Sequence, residues 1–173
     1  MPIIVIIGPS GAGKSTLVEM YTLRHHDAVL HKSATTRPQR NEYDNSHIFM
    51  TDEEFEQAQQ DGKFIQAVEV YGHHYGLPTL PKDSSDTLLL LLRAQYVAVF
   101  KQYYPDCKVI QLEAPLSVLA DRLIARGDGD RVDQTEISIE VTVGRTVADH
   151  VIHTDKPVDE SFKEFEAACT QLS

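Results

Sequence analysis

Hydrophobic positions along the chain alternate between two kinds of pattern. Ile3 to Ile7 is an unbroken β-branched run and Leu88 to Leu92 an unbroken leucine run. Neither is interrupted by polar residues, which predicts strands covered on both faces at the centre of a parallel sheet. From Gly13 the period turns helical, with Leu17, Met20 and Tyr21 on one face up to the polar His25-His26-Asp27. A short strand is predicted over Val29 to Ser33, then a polar stretch from Thr35 to Ser46. Thr51-Asp52-Glu53-Glu54 has the spacing of a capping box, which predicts a helix to about Asp61, stopped by Gly62. Phe64 to Tyr71 reads as a strand that turns at Gly72-His73-His74. After Leu92 a helix with the stripe Tyr96, Val97, Val99, Phe100 and Tyr103 ends before Pro105. Val109 to Leu112 is the next strand, with Glu113 in the loop beyond it. Pro115 to Arg126 is helical with Leu119, Leu123 and Ile124 inward, and Gly127 to Asp130 opens a loop. His150 to His153 is the last strand and Val158 to about Cys169 a closing amphipathic helix.

That order, strand and helix in alternation, predicts an α/β fold with a parallel sheet flanked by helices. The core would comprise residues 1–32 and 86–173 of one domain, interrupted by an inserted lobe at about 33–80 and a short lid at about 127–145. A length of 173 residues suits one domain with its own core. The formal charge of −10 argues against general affinity for nucleic acid or anionic membrane, so any anionic ligand must be held by a local cluster of cations. Neither apolar run approaches the roughly 20 residues of a membrane-spanning helix. No basic segment with a cleavage site opens the chain, so no secretory leader is expected. Cys107 and Cys169 form no CxxC pair, which points away from a disulfide framework or zinc ribbon and towards a reducing, cytoplasmic setting.

Gly8-Pro9-Ser10-Gly11-Ala12-Gly13-Lys14-Ser15 matches GxxxxGK[ST] at every fixed position and sits where that motif must, directly after a buried strand and before a helix. Glycines let the backbone N–H groups converge on phosphate oxygens while the positive end of the helix dipole faces the same spot. Lys14 would reach the outer phosphates of a nucleoside triphosphate and Ser15 would ligate Mg²⁺. Arg122 and Arg126, four apart on one helix, share a face from which both guanidiniums approach one polyphosphate. With Arg131 beyond the loop, they are candidates to stabilise a transferred phosphoryl group. Adjacent histidines, His25-His26 and His73-His74, diverge in direction and are not read as a metal site.

The order of these pieces resembles the guanylate kinase family, a branch of the P-loop nucleoside monophosphate kinases. Gly8 to Thr16 is similar to its phosphate loop, Ser33-Ala34-Thr35-Thr36-Arg37-Pro38-Gln39-Arg40 to its acceptor signature, Tyr75-Gly76 to its YYG element, and Arg122-Leu123 with Arg126-Gly127 to its RLxxRG lid entry. The resemblance implies an ATP- and Mg²⁺-dependent phosphotransferase acting on a small nucleotide such as GMP. ATP would contact Gly8, Ser10, Gly11, Ala12, Gly13, Lys14, Ser15, Thr16 and, at the adenine, Thr154. Arg37, Arg40 and Tyr75 would hold the acceptor phosphate, with Glu42 near the arginines and Ser33 at the base. Lys14, Arg122, Arg126 and Arg131 would stabilise the transferred group, a role for which Arg145 competes with Arg131.

Three positions depart from the family's pattern. His47 stands where an acceptor-side tyrosine is usual, Gln66 where a glutamate reads guanine, and Leu91 where a strand ends in aspartate. Gln66 presents one acceptor and one donor group where a carboxylate would accept two N–H groups, so weaker guanine discrimination is expected. The ribose 1,5-bisphosphate kinases, which are similar and share His-Ile at His47-Ile48, are one alternative. A guanylate-kinase-like interaction module without catalysis is another.

Overall fold

The two apolar runs pair side by side at the centre of the molecule's larger sheet. The computed structural model describes residues 1–39, 42, 44, 47–70, 72–81, 84–129 and 132–172. In chain order the elements are β1 (Ile3–Ile7), α1 (Lys14–Arg24), β2 (Ala28–Leu30), β3 (Ala34–Thr35), β4 (Ile48–Phe49), α2 (Asp52–Gln60), β5 (Phe64–Val70), β6 (His73–Pro78), β7 (Thr87–Leu91), α3 (Ala94–Tyr103), β8 (Lys108–Glu113), α4 (Leu116–Ala125), α5 (Gln134–Val147), β9 (His150–His153) and α6 (Val158–Leu172). They fall into two units, one of Met1–Leu30 with Ser85–Ser173 and the other of His31–Ser84.

The first unit carries a five-stranded sheet of order β2-β7-β1-β8-β9, parallel at every pairing. Ile4 to Ile7 of β1 and Leu88 to Leu90 of β7 are all fully or almost fully buried, which is why neither run alternates with polar residues. α1 contributes Leu17, Val18 and Tyr21 to the core, and α6 contributes Phe162, Phe165, Ala168 and Cys169. Tyr21 meets Phe165 edge to face at 5.9 Å. His25 stacks on Tyr21 and pairs with Glu166 at 2.9 Å, an ordinary helix-end contact.

The second unit is a four-stranded sheet of order β4-β3-β6-β5 with α2 against it. Thr51 caps α2 by accepting from the Glu54 N–H while the Glu54 carboxylate accepts from the Thr51 N–H, so both halves of the predicted box are present. Phe55 of α2 stacks on Phe64 at 4.8 Å and on His74 at 5.5 Å.

Several expectations are corrected. The short strand is Ala28–Leu30, in register with Thr87–Leu89, and Ala34-Thr35 join the other sheet instead. His73-His74 lie within β6, paired with Val70 and Glu69, because the reversal is made earlier at Gly72 with φ 74°. Ile124 is 64% exposed and Tyr103 is 55% exposed, each lying off the face its neighbours bury. Apart from these corrections, the segment 127–145 expected as a lid contains most of α5, which the Asp133 side chain starts by accepting from the Thr135 and Glu136 N–H groups. Glu113 belongs to β8 and is 3% exposed, not a loop carboxylate.

Burial pushes the Tyr21 hydroxyl up to about 12 from 10.0, and burial with the nearby Glu166 pushes the Cys169 thiol up to about 12 from 9.0. Both stay protonated in the fold, so above the unfolded thiol's value the unfolded chain sheds protons that the folded one keeps, and stability falls as pH rises. Urea denaturation should show loss setting in above about pH 9 and shallower loss in Tyr21→Phe above about pH 10. A flat profile to about pH 11 contradicts that burial.

Candidate active site

β1 delivers the chain into a turn whose glycines take backbone angles closed to other residues: φ is 134° at Gly8, 85° at Gly11 and 89° at Gly13. At Gly8 the loop passes so close to β8 that a Cβ would run into the carbonyl oxygen of Leu112. A bond from the Ala12 N–H to the Pro9 carbonyl, 3.2 Å, closes the curl. α1 then starts with no side chain capping it and no acidic residue in its first turn. The contrast with α2 is direct. There a capping box and three acidic residues occupy the helix start, whereas in α1 nothing anionic in the first turn competes for the positive end of the dipole. Lys14 folds back over the turn, its Nζ donating to the carbonyls of Gly8 at 2.5 Å and Pro9 at 3.0 Å. Ser10 and Ala12 lie in the curl, and the exposed Ser15 and Thr16 open α1. Such a nest of backbone N–H groups beside an ammonium is chemistry for phosphate.

The loop is held from behind. Arg122 donates through one guanidinium nitrogen to the Gly11 carbonyl at 3.2 Å and through the other to the Thr154 carbonyl at 2.5 Å. The Thr154 hydroxyl, on a residue 3% exposed, donates to the Ala12 carbonyl at 3.0 Å. Arg122 therefore spends its donors on the backbone beside the phosphate loop. Arg126, one turn on, pairs with Asp128 at 2.7 Å and is half exposed. Gly127, with φ 82°, lets the Asp128 N–H reach the Leu123 carbonyl and end α4 there. A cavity of about 270 Å³ opens beside the loop, lined by Gly13, Thr16, Arg122, Arg126, Thr154 and Lys156 among others.

Two buried carboxylates tie α5 to its neighbours: Glu113, expected in a loop, and Glu140, not singled out in the sequence. Glu113 accepts from Arg145 Nε at 2.7 Å and from its terminal nitrogen at 2.5 Å, and from the Gln111 amide at 2.6 Å. Arg145 is thus engaged by β8. Glu140 accepts from the Ala94 N–H at 2.7 Å, heading α3, and Arg93 pairs with Glu136. Burial pushes the Glu140 carboxyl up, opposed by the Ala94 N–H and by the charges of Lys14 and Arg93. Leu91 ends β7 without an acid, as read from the sequence. The only sequence signal for this cluster was the i, i+4 spacing of Glu136 and Glu140.

In the second unit, the Thr35 hydroxyl donates to the His74 carbonyl and accepts from the Arg37 N–H, which fixes the turn into Arg37. The Arg37 guanidinium pairs with Asp44 at 3.0 Å, donates to the Pro38 carbonyl and lies over the Phe49 ring at 5.2 Å. His47 packs edge-on against Tyr75 at 5.7 Å. Ser33 accepts through its carbonyl from Ile48, and Glu42 is exposed. Gln66, on β5, has a buried Oε1 without a hydrogen-bond partner. Arg37, His47 and Tyr75 are thus brought together, while Arg40 and Arg131 lie outside the described residues.

A parallel sheet whose middle strand runs through a glycine nest into an uncapped helix, with a lysine over the nest, defines a P-loop nucleotide-binding fold. The guanylate kinase family profile matches residues 1–169, and the chain belongs to that family. Among curated relatives, a guanylate kinase of Thermosynechococcus vestitus is 36% identical over 132 residues, 72% of this chain and 69% of that one. The ribose 1,5-bisphosphate phosphokinase PhnN of Bradyrhizobium diazoefficiens is 31% identical over 147 residues, 80% of this chain and 73% of that one. In fold, the crystal structure of guanylate kinase from Anaplasma phagocytophilum is similar with a TM-score of 0.74 at 22% identity, over 98% of this chain and 85% of that one. No helix among the described residues is long and apolar enough to cross a membrane.

Because the loop touches β8 at Gly8, Gly8→Ala should lose stability through its φ alone by roughly 1–3 kcal/mol, with the clash in addition. Urea denaturation measures this, and an unchanged midpoint contradicts the close approach.

Proposed function

We propose that the protein is an ATP-dependent phosphotransferase that moves the γ-phosphate of ATP to GMP or a related monophosphate, giving ADP and GDP. The observation that carries this reading is the uncapped, acid-free start of α1 behind a complete glycine nest. The backbone N–H groups of the loop and Lys14 would bind the triphosphate. The donor set suits Mg²⁺, a hard cation that takes oxygen ligands and keeps phosphates among them, since the Ser15 hydroxyl is exposed on the first turn beside the nest. Bound there, Mg²⁺ would neutralise charge on the phosphate oxygens.

On the acceptor side, Arg37, Arg40 and Tyr75 would grip the monophosphate, with Arg37 exchanging its bond to Asp44 for one to the ligand. A monophosphate is largely dianionic near neutral pH, its second pKa being about 6. Its oxygen therefore attacks the γ-phosphorus without a general base. One P–O bond forms, the β–γ bridging P–O bond breaks, and ADP leaves with the electron pair, with no covalent enzyme intermediate. Arg126 and Arg131 would bear on the charge of the transferred group. Arg122 would act through the loop carbonyl and Thr154 that it holds.

Gln66 supports a second reading. Its single amide oxygen offers guanine less than a carboxylate does, and with His47 it leaves room for a sugar phosphate acceptor of the kind named in the PhnN relative. A coupled assay with ATP and GMP, dGMP, AMP or ribose 1,5-bisphosphate separates the two. Turnover with none of them favours a non-catalytic module and overturns both.

Lys14→Ala should reduce turnover by about 10²-fold or more, by the scale of losing one preorganised donor, and near-normal turnover contradicts the donor site. Gln66→Glu should improve the ratio of kcat/KM for GMP over AMP by about 5–150-fold, the value of one added hydrogen bond of about 1–3 kcal/mol. An unchanged ratio means residue 66 does not read the base.

A further inference from the structure

β7 is a direct neighbour of β1 in the sheet, and it runs out in Leu91 and Leu92 without an acid. An acid nevertheless stands at that place, brought from α5. The Glu140 carboxylate accepts from the Ala94 N–H at 2.7 Å, just past Leu92, whose own N–H donates to the Ile6 carbonyl at 3.2 Å. The next residue of α5, Val141, accepts through its carbonyl from the Gln111 amide at 3.1 Å, and Gln111 pairs in register with Ile7. α5 therefore passes across the end of β1 at residues 140 and 141, where the chain turns into the nest at Gly8. In keeping with that position, the Lys14 charge joins the Ala94 N–H in opposing the upward push of burial on the Glu140 carboxyl.

Charge, not contact, is what this carboxylate can bring to the loop. Glu140 is 4% exposed, and its second oxygen, without a hydrogen-bond partner, lies 3.8 Å from Arg93 Nε. An atom so enclosed does not touch a ligand. Of the charged groups around it, Arg93 is bonded to Glu136 and Arg145 to Glu113. A buried charge is screened far less than one in water, so its field reaches beyond its contacts. Set beside the nest, it repels a polyphosphate there, and repels it less when a bound Mg²⁺ cancels part of the phosphate charge.

We infer that Glu140 is a specificity-determining residue of the donor site, its enclosed negative charge making the nest favour the magnesium complex of a nucleoside triphosphate over the metal-free form. This rests on the donor-site reading given above. In P-loop proteins with an aspartate at a strand end, that residue holds the metal directly. Here a preference for the metal form arises by repulsion, from a different element. Removing the charge therefore strengthens binding of both forms, the metal-free one more.

The test is equilibrium binding of ATP, with Mg²⁺ and with a chelator in its place. It compares the parent, the uncharged variants Glu140→Gln and Glu140→Met, and Glu140→Asp, with thermal unfolding of each. Expected in both uncharged variants are a tighter grip on metal-free ATP and a fall of about tenfold in the preference for Mg-ATP, by the scale of one charge–charge interaction. Glu140→Asp, which keeps the charge, keeps the preference. An unchanged preference in the uncharged variants overturns the inference. So does an equal loss for both forms with a lowered Tm, which would make Glu140 structural. Failure of the parent to bind either form would instead strike the donor-site reading, and this inference with it.

Discussion

A helix start without a cap is the feature on which the rest of this molecule depends. The first N–H groups of any helix lack intrahelical partners, and most helices satisfy them locally, as α2 does with Thr51 and its acidic first turn. α1 begins Gly13-Lys14-Ser15-Thr16, with no capping side chain and no anion of its own. Holding that arrangement without a ligand takes support from elsewhere. It comes from the buried Ala12, the contact of Gly8 with β8, the bonds of Arg122 and Thr154 to loop carbonyls, and Lys14 folded over the turn. The bonds from Arg122, Thr154 and Lys14 all go to carbonyls of the loop, so none of these three side chains occupies its N–H groups.

The same division reconciles a net charge of −10 with the proposed site for a polyanion. The cations near the loop are few and are positioned by specific partners: Arg122 by backbone oxygens and Arg126 by Asp128. Of the buried carboxylates of this unit, Glu113 is closed by Arg145 and Gln111. A carboxylate paired within the fold adds less repulsion towards an incoming phosphate than a free one, so the overall acidity is compatible with local anion binding.

What could be read from the sequence was what is local in the chain. The run Ile3 to Ile7, the glycine spacing and the capping box of α2 are fixed by residues within a few positions of one another, and each is present in the structure. Contacts made over long separations were not legible. Glu113 read as a loop residue because the group that buries it, Arg145, returns from 32 positions away on a helix started by an unremarked Asp133. Arg122 read as a group for phosphate alone because its partners, Gly11 and Thr154, lie 111 and 32 positions distant.

The proposed donor and acceptor sites are built from different materials, and this bears on how far family membership reaches. The donor half is backbone N–H groups, glycine conformations and one lysine, so most side-chain substitutions leave its chemistry intact. The acceptor half is made of side chains: Arg37 held by Asp44 and Phe49, His47 against Tyr75, and Gln66 with an unmatched oxygen. Replacing one carboxylate by an amide there exchanges an acceptor for a donor without disturbing the strand that carries it. On the proposed reading, phosphate chemistry is inherited with the loop, whereas the identity of the acceptor rests on a few side chains that change independently of it. Relatives named for a nucleotide and for a sugar phosphate, at 36% and 31% identity, are what such a division of labour would produce.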